Sequence, residues 1–354
     1  MIKNYSKIAW RNILRNKATS FINIGGLAVG MAVAMLIGLW IWDELSYDKY
    51  HKNYDRIAQV MQSLTNNGEI MTSPVVPIPL GTEMHTTYGN NFKHVVLSSF
   101  NWNHILTVNN KQLLKPGNFM EPDAAEMFTL KMLKGTRSGL KDPSSILLSA
   151  SSARALFGDT DPINKMLKLD NKMNVKVTGV YEDLPQNTTL SNLAFIAPWD
   201  LYYTADPNLK NSQGNWGNSS YQLFVQLTDN ADINRVSALI KNAKLKKVGA
   251  ADAKYKPAIL LQPMNRWHLY SDFKNGVSTG GAIQYVWLFG IIGLFVLLLA
   301  CINFMNLSTA RSEKRAREVG IRKAVGSLRG QLPSNCIRWP VPRYARRMGK
   351  RPCV

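Results

Sequence analysis

Two stretches without a single charged side chain decide most of what this chain can fold into. Phe21–Trp42 reads FINIGGLAVGMAVAMLIGLWIW, and 283–307 reads IQYVWLFGIIGLFVLLLACINFMNL. A helix of about 20 apolar residues, at about 1.5 Å per residue, crosses the roughly 30 Å hydrocarbon core of a bilayer. Both stretches are long enough to do so. A cleavable signal peptide is the alternative for the first, but the apolar core of such a peptide runs to only about 15 residues. No small-x-small site follows here before Asp43 and Glu44.

The formal net charge of +20 resembles that of a nucleic-acid binder until its distribution is read. Residues 1–20 carry +5, residues 308–332 carry +5 and residues 333–354 carry +6, while the long segment 21–282 carries only +4. The excess flanks the apolar runs, where Lys and Arg mark the cytoplasmic side of a span. The charge therefore places both termini in the cytoplasm and the middle of the chain outside, and argues against a nucleic-acid partner. Cys301 lies in the second run, and Cys336 and Cys353 follow it. The segment 43–282 contains no cysteine, so its own core has to hold it together.

The expected organisation follows. Residues 1–20 are a cytoplasmic basic amphipathic helix, in which Lys3, Lys7, Arg11 and Arg15 recur every four residues and share one face suited to lipid headgroups. A solvated basic tail is the alternative there. Residues 21–42 and 283–307 are the transmembrane helices, with Gly26 and Gly30 at a spacing that allows close helix packing. Residues 43–282 form an extracytoplasmic domain of α+β texture inserted between them. Trp42–Gln62 reads as a helical stalk with Tyr47, Tyr50 and Tyr54 at helical spacing. Strands are expected at Ile57–Leu64, Val95–Phe100, Ile105–Val108, Ser145–Leu148, Val175–Val180 and Leu223–Leu227. Helices are expected at Pro79–Tyr88, Asp123–Thr129, Ser151–Phe157 and Ile233–Val248. Asn66-Asn67-Gly68, Lys115-Pro116-Gly117 and Asp161-Pro162 read as turns, and 211–220 as a loop.

Four stretches resemble ABC-transporter permeases of the MacB/FtsX type. They are the opening WRNILRNKATSFINIGGLAVGMAVAMLIGLWIWDELSYDKYH, Ser144–Pro185 with its LFGD and TGV, Gln262–Gly276, and CINFMNLSTARSEKRAREVGIRKAVGS after the second run. The resemblance spans nearly all of 1–332. It departs at Asn164, where the family usually has Gly. It implies that 43–282 is a MacB-like periplasmic core domain and that the protein sits in the cell inner membrane. It also implies that the chain works as a homodimer or permease pair with a separate cytoplasmic ABC ATPase, with a periplasmic adaptor and membrane lipids as further partners. The sequence agrees on one point independently: no G-x-x-x-x-G-K-[ST] loop is present to bind ATP. The expectation is thus a non-enzymatic permease subunit for export or mechanotransmission, with no cofactor. A two-span sensor relaying a periplasmic signal to a cytoplasmic partner is the alternative.

Residues 308–332 are read as the segment that couples to the ATPase. Glu313/Arg317 and Glu318/Arg322 are acid-to-base pairs at i, i+4. Gly320 is expected to break the helix, and Ile321 to help form an apolar knob. With the resemblance, this nominates Arg315, Arg317, Glu318, Gly320, Ile321, Arg322 and Lys323 as ATPase contacts. A basic stop-transfer helix would satisfy the charge alone. No catalytic or metal-binding constellation stands out. His51, His85, His94, His104 and His268 lack ligand spacing; His94 and His104 could flank a strand pair, but a surface role is expected for them rather than a metal site. Ser149–Ser152 reads as a helix cap. From Pro333 the texture turns to a basic, proline-rich tail (333–354), and a shifted reading frame or a truncated gene after about Leu332 is the expectation, with a natural disordered basic tail as the alternative.

Overall fold

A computed structural model describes residues 17–325. In chain order its elements are α1 (Lys17–Leu45), β1 (Ile57–Asn66), β2 (Glu69–Ser73), α2 (Ile78–Thr86), β3 (Phe92–Ser98), β4 (Trp102–Val108), β5 (Lys111–Met120), α3 (Ala124–Met127), β6 (Met132–Gly135), β7 (Ser145–Ser149), α4 (Ala150–Phe157), β8 (Met166–Leu169), β9 (Met173–Tyr181), β10 (Phe195–Pro198), α5 (Trp199–Ala205), α6 (Pro207–Ser212), β11 (Gln222–Leu227), α7 (Ile233–Ile240), α8 (Ala250–Ala253), β12 (Ala258–Pro263), β13 (Asp272–Lys274), β14 (Val277–Gly280) and α9 (Ala282–Ala324). The chain divides into two units. One comprises the residues up to Trp40 with those from Leu288 onward, and the other is Ile41–Trp287.

The first unit is a helix pair. Within α1 and α9, Ile24–Leu45 and Ala282–Asn306 are long and apolar enough to cross a membrane. The two helices meet on small residues. A Cβ built on Gly30 would lie 2.8 Å from Ala300 Cβ, and one on Gly293 would lie 3.1 Å from Ile37 Cγ2. Gly26 faces Asn303, and Trp40 meets Phe289 edge-on with ring centroids 5.0 Å apart. These four contacts run antiparallel along one stripe. The glycine spacing thus serves close packing between the chain's own two spans, where van der Waals contact drives association in lipid.

The second unit is built on a twelve-stranded sheet ordered β10-β7-β9-β8-β4-β5-β3-β11-β1-β12, with β2 paired to β1 and β6 to β9. Because β10 also pairs with β5, six strands (β4, β5, β10, β7, β9 and β8) close into a small ring. Alternate residues fill it: Leu106, Phe119, Ile146, Leu148, Leu167, Leu169, Val175, Val177 and Phe195 are all buried in one core, as a period of two requires. The open lobe, β3-β11-β1-β12, continues this core beneath α2 and α7. Its free edge is covered: Ile259 N donates to Lys241 O at 2.9 Å and Leu261 N to Ser237 Oγ at 3.0 Å, which removes β12 as a template for another strand. A second core lies on the opposite face, around Met127, Phe128, Tyr181, Phe224, Met264 and Trp267.

All six expected strands form, with ends shifted by a few residues. The helical expectations hold in kind, but α7 ends at Ile240 instead of continuing to Val248. Three readings are corrected. First, α1 ends at Leu45, and 46–56 are turns rather than a helical stalk. Asp48, in the left-handed region at φ 62°, does not fit a helix, and Tyr50 and Tyr54 pack on the second core instead. Second, Lys115-Pro116-Gly117 lies inside β5. There the strand leaves β4 for β10, and the absent Cβ of Gly117 gives room to Phe195, whose ring lies 2.3 Å from where that Cβ would be. The breaker residues mark a change of partner, not a turn. Third, Ser212 still belongs to α6, so 211–220 is only partly loop. Asn164 adopts φ 62°; asparagine tolerates this conformation better than other non-glycine residues, so it can take the turn where the family has Gly.

Candidate functional site

The residues that follow α1 are fastened to the domain by a buried polar anchor. Asp48 is only 1% exposed. Its Oδ1 accepts from Thr188 Oγ1 and from Thr189 N, both at 2.7 Å, and its Oδ2 accepts from Thr189 Oγ1 at 2.8 Å. Asp48 N donates to Asn187 O at 2.9 Å, and Asn187 Nδ2 donates to Ser46 Oγ at 3.0 Å. The left-handed backbone at Asp48 turns the chain so that its carboxylate meets the 187–189 loop, a conformation Asp adopts more readily than most residues. His51 extends the anchor. Its Nδ1 lies 2.7 Å from the Phe128 carbonyl, which can only accept, so Nδ1 carries the hydrogen; Nε2 lies 3.1 Å from Thr188 Oγ1. Burial lowers the His51 pKa, against the opposing pull of the Phe128 carbonyl and Asp48. Lys52 N donates to Thr129 Oγ1 at 3.1 Å, so the segment is held at both the 128–129 and the 187–189 turns.

A second fastening joins this exit segment to the stretch that leads into α9. His268 Nε2 lies 2.5 Å from Glu44 Oε2, and the His268 ring stacks on Tyr47 with centroids 3.7 Å apart. His268 is itself fixed by its neighbours: Trp267 is buried and donates Nε1 to Gln262 O at 2.8 Å, and Gln262 Nε2 donates to Tyr270 O at 3.0 Å. Ile283 N then donates to Leu269 O at 3.1 Å as α9 begins. The exit of one apolar helix and the approach to the other are therefore tied within the domain unit by side chains about 220 residues apart in sequence. Charge-assisted bonds of this kind are about twice as strong as neutral ones.

The nominated ATPase contacts, Arg315, Arg317, Glu318, Gly320, Ile321, Arg322 and Lys323, all lie on α9, which runs without interruption to Ala324. The expected break at Gly320 is corrected: the glycine continues the helix, because α-helical angles are open to it and nothing around it forces a turn. Arg317 and Ile321 are exposed, Ile321 by 60%. The helix brings the seven onto one continuous rod extending the second apolar run. Lys3, Lys7, Arg11 and Arg15 lie outside the described residues.

The histidines do not gather. His94 on β3 bonds Asp123 at 2.8 Å and His104 on β4 bonds Asp170 at 2.6 Å, each separately. Those two strands are not neighbours, since β5 lies between them. Among the described residues no cluster of three or more His, Cys, Asp or Glu side chains is placed to hold a metal ion. Ser149 does cap α4, accepting from Ser152 N at 3.3 Å, and Ser151 donates to Asp183. Reading by sequence missed the anchor. Its Asp48 and His51 lie in the opening stretch DELSYDKYH, yet nothing local announces that they meet a loop 140 residues away.

A family model described as the MacB-like periplasmic core domain matches residues 20–243. Among solved structures, a domain of a protein described as a permease from Porphyromonas gingivalis is 19% identical with a TM-score of 0.51, the match covering 67% of this chain and 98% of that one. The periplasmic region of MacB from Actinobacillus actinomycetemcomitans is 16% identical with a TM-score of 0.40, covering 59% of this chain and 90% of that one. The extracellular domain of the noncanonic ABC-type transporter YknZ from Gram-positive bacteria is 15% identical with a TM-score of 0.41, covering 58% of this chain and 99% of that one. At 19% identity the Porphyromonas gingivalis domain bears on the fold alone. None of the curated proteins matches the chain.

Proposed function

Because the chain belongs to the family with a MacB-like periplasmic core domain, we propose that it is the permease subunit of an ATP-driven system of the inner membrane, coupling a separate cytoplasmic ABC ATPase to work done outside. Its N-terminus and the end of α9 are then cytoplasmic, and residues 43–282 are periplasmic. Two such chains act together, and lipid headgroups bind Lys3, Lys7, Arg11 and Arg15.

One observation carries the reading: the family match, residues 20–243, takes in the first of two apolar helices and most of the domain between them. The second helix runs on as a rod bearing Arg315, Arg317, Glu318, Gly320, Ile321, Arg322 and Lys323. ATP hydrolysis moves that rod, and the movement reaches the domain through the Asp48 and His268 fastenings.

Co-purification with a co-expressed cognate ABC ATPase tests the coupling. Reversing Arg317 or Glu318 is expected to reduce recovery of the ATPase at least tenfold while leaving the chain in the membrane. Unchanged recovery with both reversed removes the coupling assignment.

A further inference from the structure

The closed ring and the open lobe of the sheet meet along β5 and β3, and there side chains take over much of the ladder. The two strands share a single residue pair, Ser98 opposite Met120. Two backbone bonds remain, Ser99 N to Phe119 O at 2.9 Å and Glu121 N to Leu97 O at 3.0 Å. Their reciprocal partners are replaced. Phe119 N donates to Ser99 Oγ at 2.9 Å, and Leu97 N donates to the Glu121 carboxylate at 2.7 Å. Asn118 Nδ2 donates to Ser98 Oγ at 3.1 Å and to Ser99 O at 2.9 Å, while its buried Oδ1 finds no partner among the described residues. A strand junction stitched this way depends on the state of its side chains, where an ordinary ladder would not.

Glu121 is the titratable member of that junction. The charged groups acting on it are Asp123, in the turn entering α3, and Asp200, at the start of α5, both of its own sign. His94 on β3 is bonded to Asp123. Burial pushes the Glu121 carboxyl up to about 7; the Leu97 N–H pulls the other way, and Asp123 and Asp200 add to the rise.

We propose that Glu121 makes the β3–β5 seam proton-responsive: taking up a proton neutralises a half-buried carboxylate that has two like charges near it, and the joint between ring and lobe tightens as the surroundings acidify. Linkage fixes the sign. An acid raised in the native fold holds a proton that the opened seam releases, between the ordinary carboxylate range and about 7. The seam is therefore firmest at the acidic end of that window and loosens as pH rises through 7. This response goes beyond the transport reading and does not depend on any ATPase.

Hydrogen exchange on the full chain in nanodiscs tests it, following peptides that contain Leu97–Ser99 and Asn118–Glu121, with rates corrected for the intrinsic effect of pH. Opening of the wild-type seam is expected to be about tenfold rarer at pH 6 than at pH 8, while β12 stays unchanged as an internal reference. Glu121→Gln keeps an acceptor for Leu97 N–H and is expected to abolish the slope. A flat wild-type profile, or an undiminished slope in Glu121→Gln, overturns the proposal. Should that variant not fold, Asp123→Asn removes one of the like charges and is expected to move the midpoint to lower pH. An unmoved midpoint also overturns it.

Discussion

Replacing Asp48 separates the energy of the anchor into its parts. The carboxylate is buried and accepts three bonds, and hydrogen bonds to a charged group are each worth about 1.5–3 kcal/mol without being additive. Asp48→Ala deletes all three, leaves Thr189 N without its acceptor, and removes the side-chain hydrogen bonding that supports Asp at φ 62°, where both residues carry a Cβ. The expected total is about 3–5 kcal/mol. Asp48→Gly loses the same bonds without the backbone strain, so it should recover about 1 kcal/mol relative to Ala. Asp48→Asn keeps one oxygen and the left-handed turn, and should lose about 1.5–3 kcal/mol. Hydrogen exchange of the Thr188–Leu193 amides in the full chain reads these as local opening, at about 1.4 kcal/mol per tenfold change. The expected order of protection is wild type, then Asn, then Gly, then Ala, spanning at least a hundredfold. Three variants indistinguishable from wild type would show that the anchor carries no load. Ala equal to Gly would show that the turn at Asp48 is unstrained.

Other consequences are independent of the anchor. Gly117→Ala drives a methyl into the Phe195 ring and should destabilise the ring core by about 1–3 kcal/mol, seen as a lower thermal midpoint; an unchanged midpoint would mean that Phe195 has room to move. Gly30→Ile pushes Ala300 away, so disulfide formation between cysteines placed at Trp40 and Phe289 should fall in membranes, and undiminished cross-linking would contradict the glycine packing. His51, its pKa lowered by burial, binds its proton less readily folded than unfolded, so it contributes stability above its ordinary value that is lost as pH falls. Exchange at Phe128–Thr129 should therefore quicken from pH 7 to pH 5 and do so less in His51→Gln, whereas equal quickening in both would place the effect elsewhere.

What could be read from sequence was whatever is periodic or uncharged. The two apolar runs, the alternation in Val175–Val180 and the cap at Ser149 are local patterns with local causes. The ring was not legible, because its closure rests on β5 serving β4 with one half and β10 with the other, and the residues that permit the change, Pro116 and Gly117, look like a turn. The stalk misled for a related reason: tyrosines at helical spacing also suit a chain that folds back on a core, and only Asp48 at positive φ decides between the two. The anchor and the β3–β5 seam were invisible because both are polar meetings of distant segments, and neither Asp48 nor Glu121 differs in sequence from a solvated acid.

Impermeant thiol labelling of intact cells bears most directly on the claim that the domain stands outside the cell while the end of α9 stays within. With the native cysteines replaced, Met71→Cys on β2 and Ile321→Cys on α9 each carry an exposed thiol, at positions 68% and 60% exposed. Met71→Cys should react in intact cells once the outer barrier is made leaky, and Ile321→Cys only after the inner membrane is opened. Labelling of Ile321→Cys first, or of both at once in sealed cells, would contradict the placement of the chain across the membrane and the coupling role built on it.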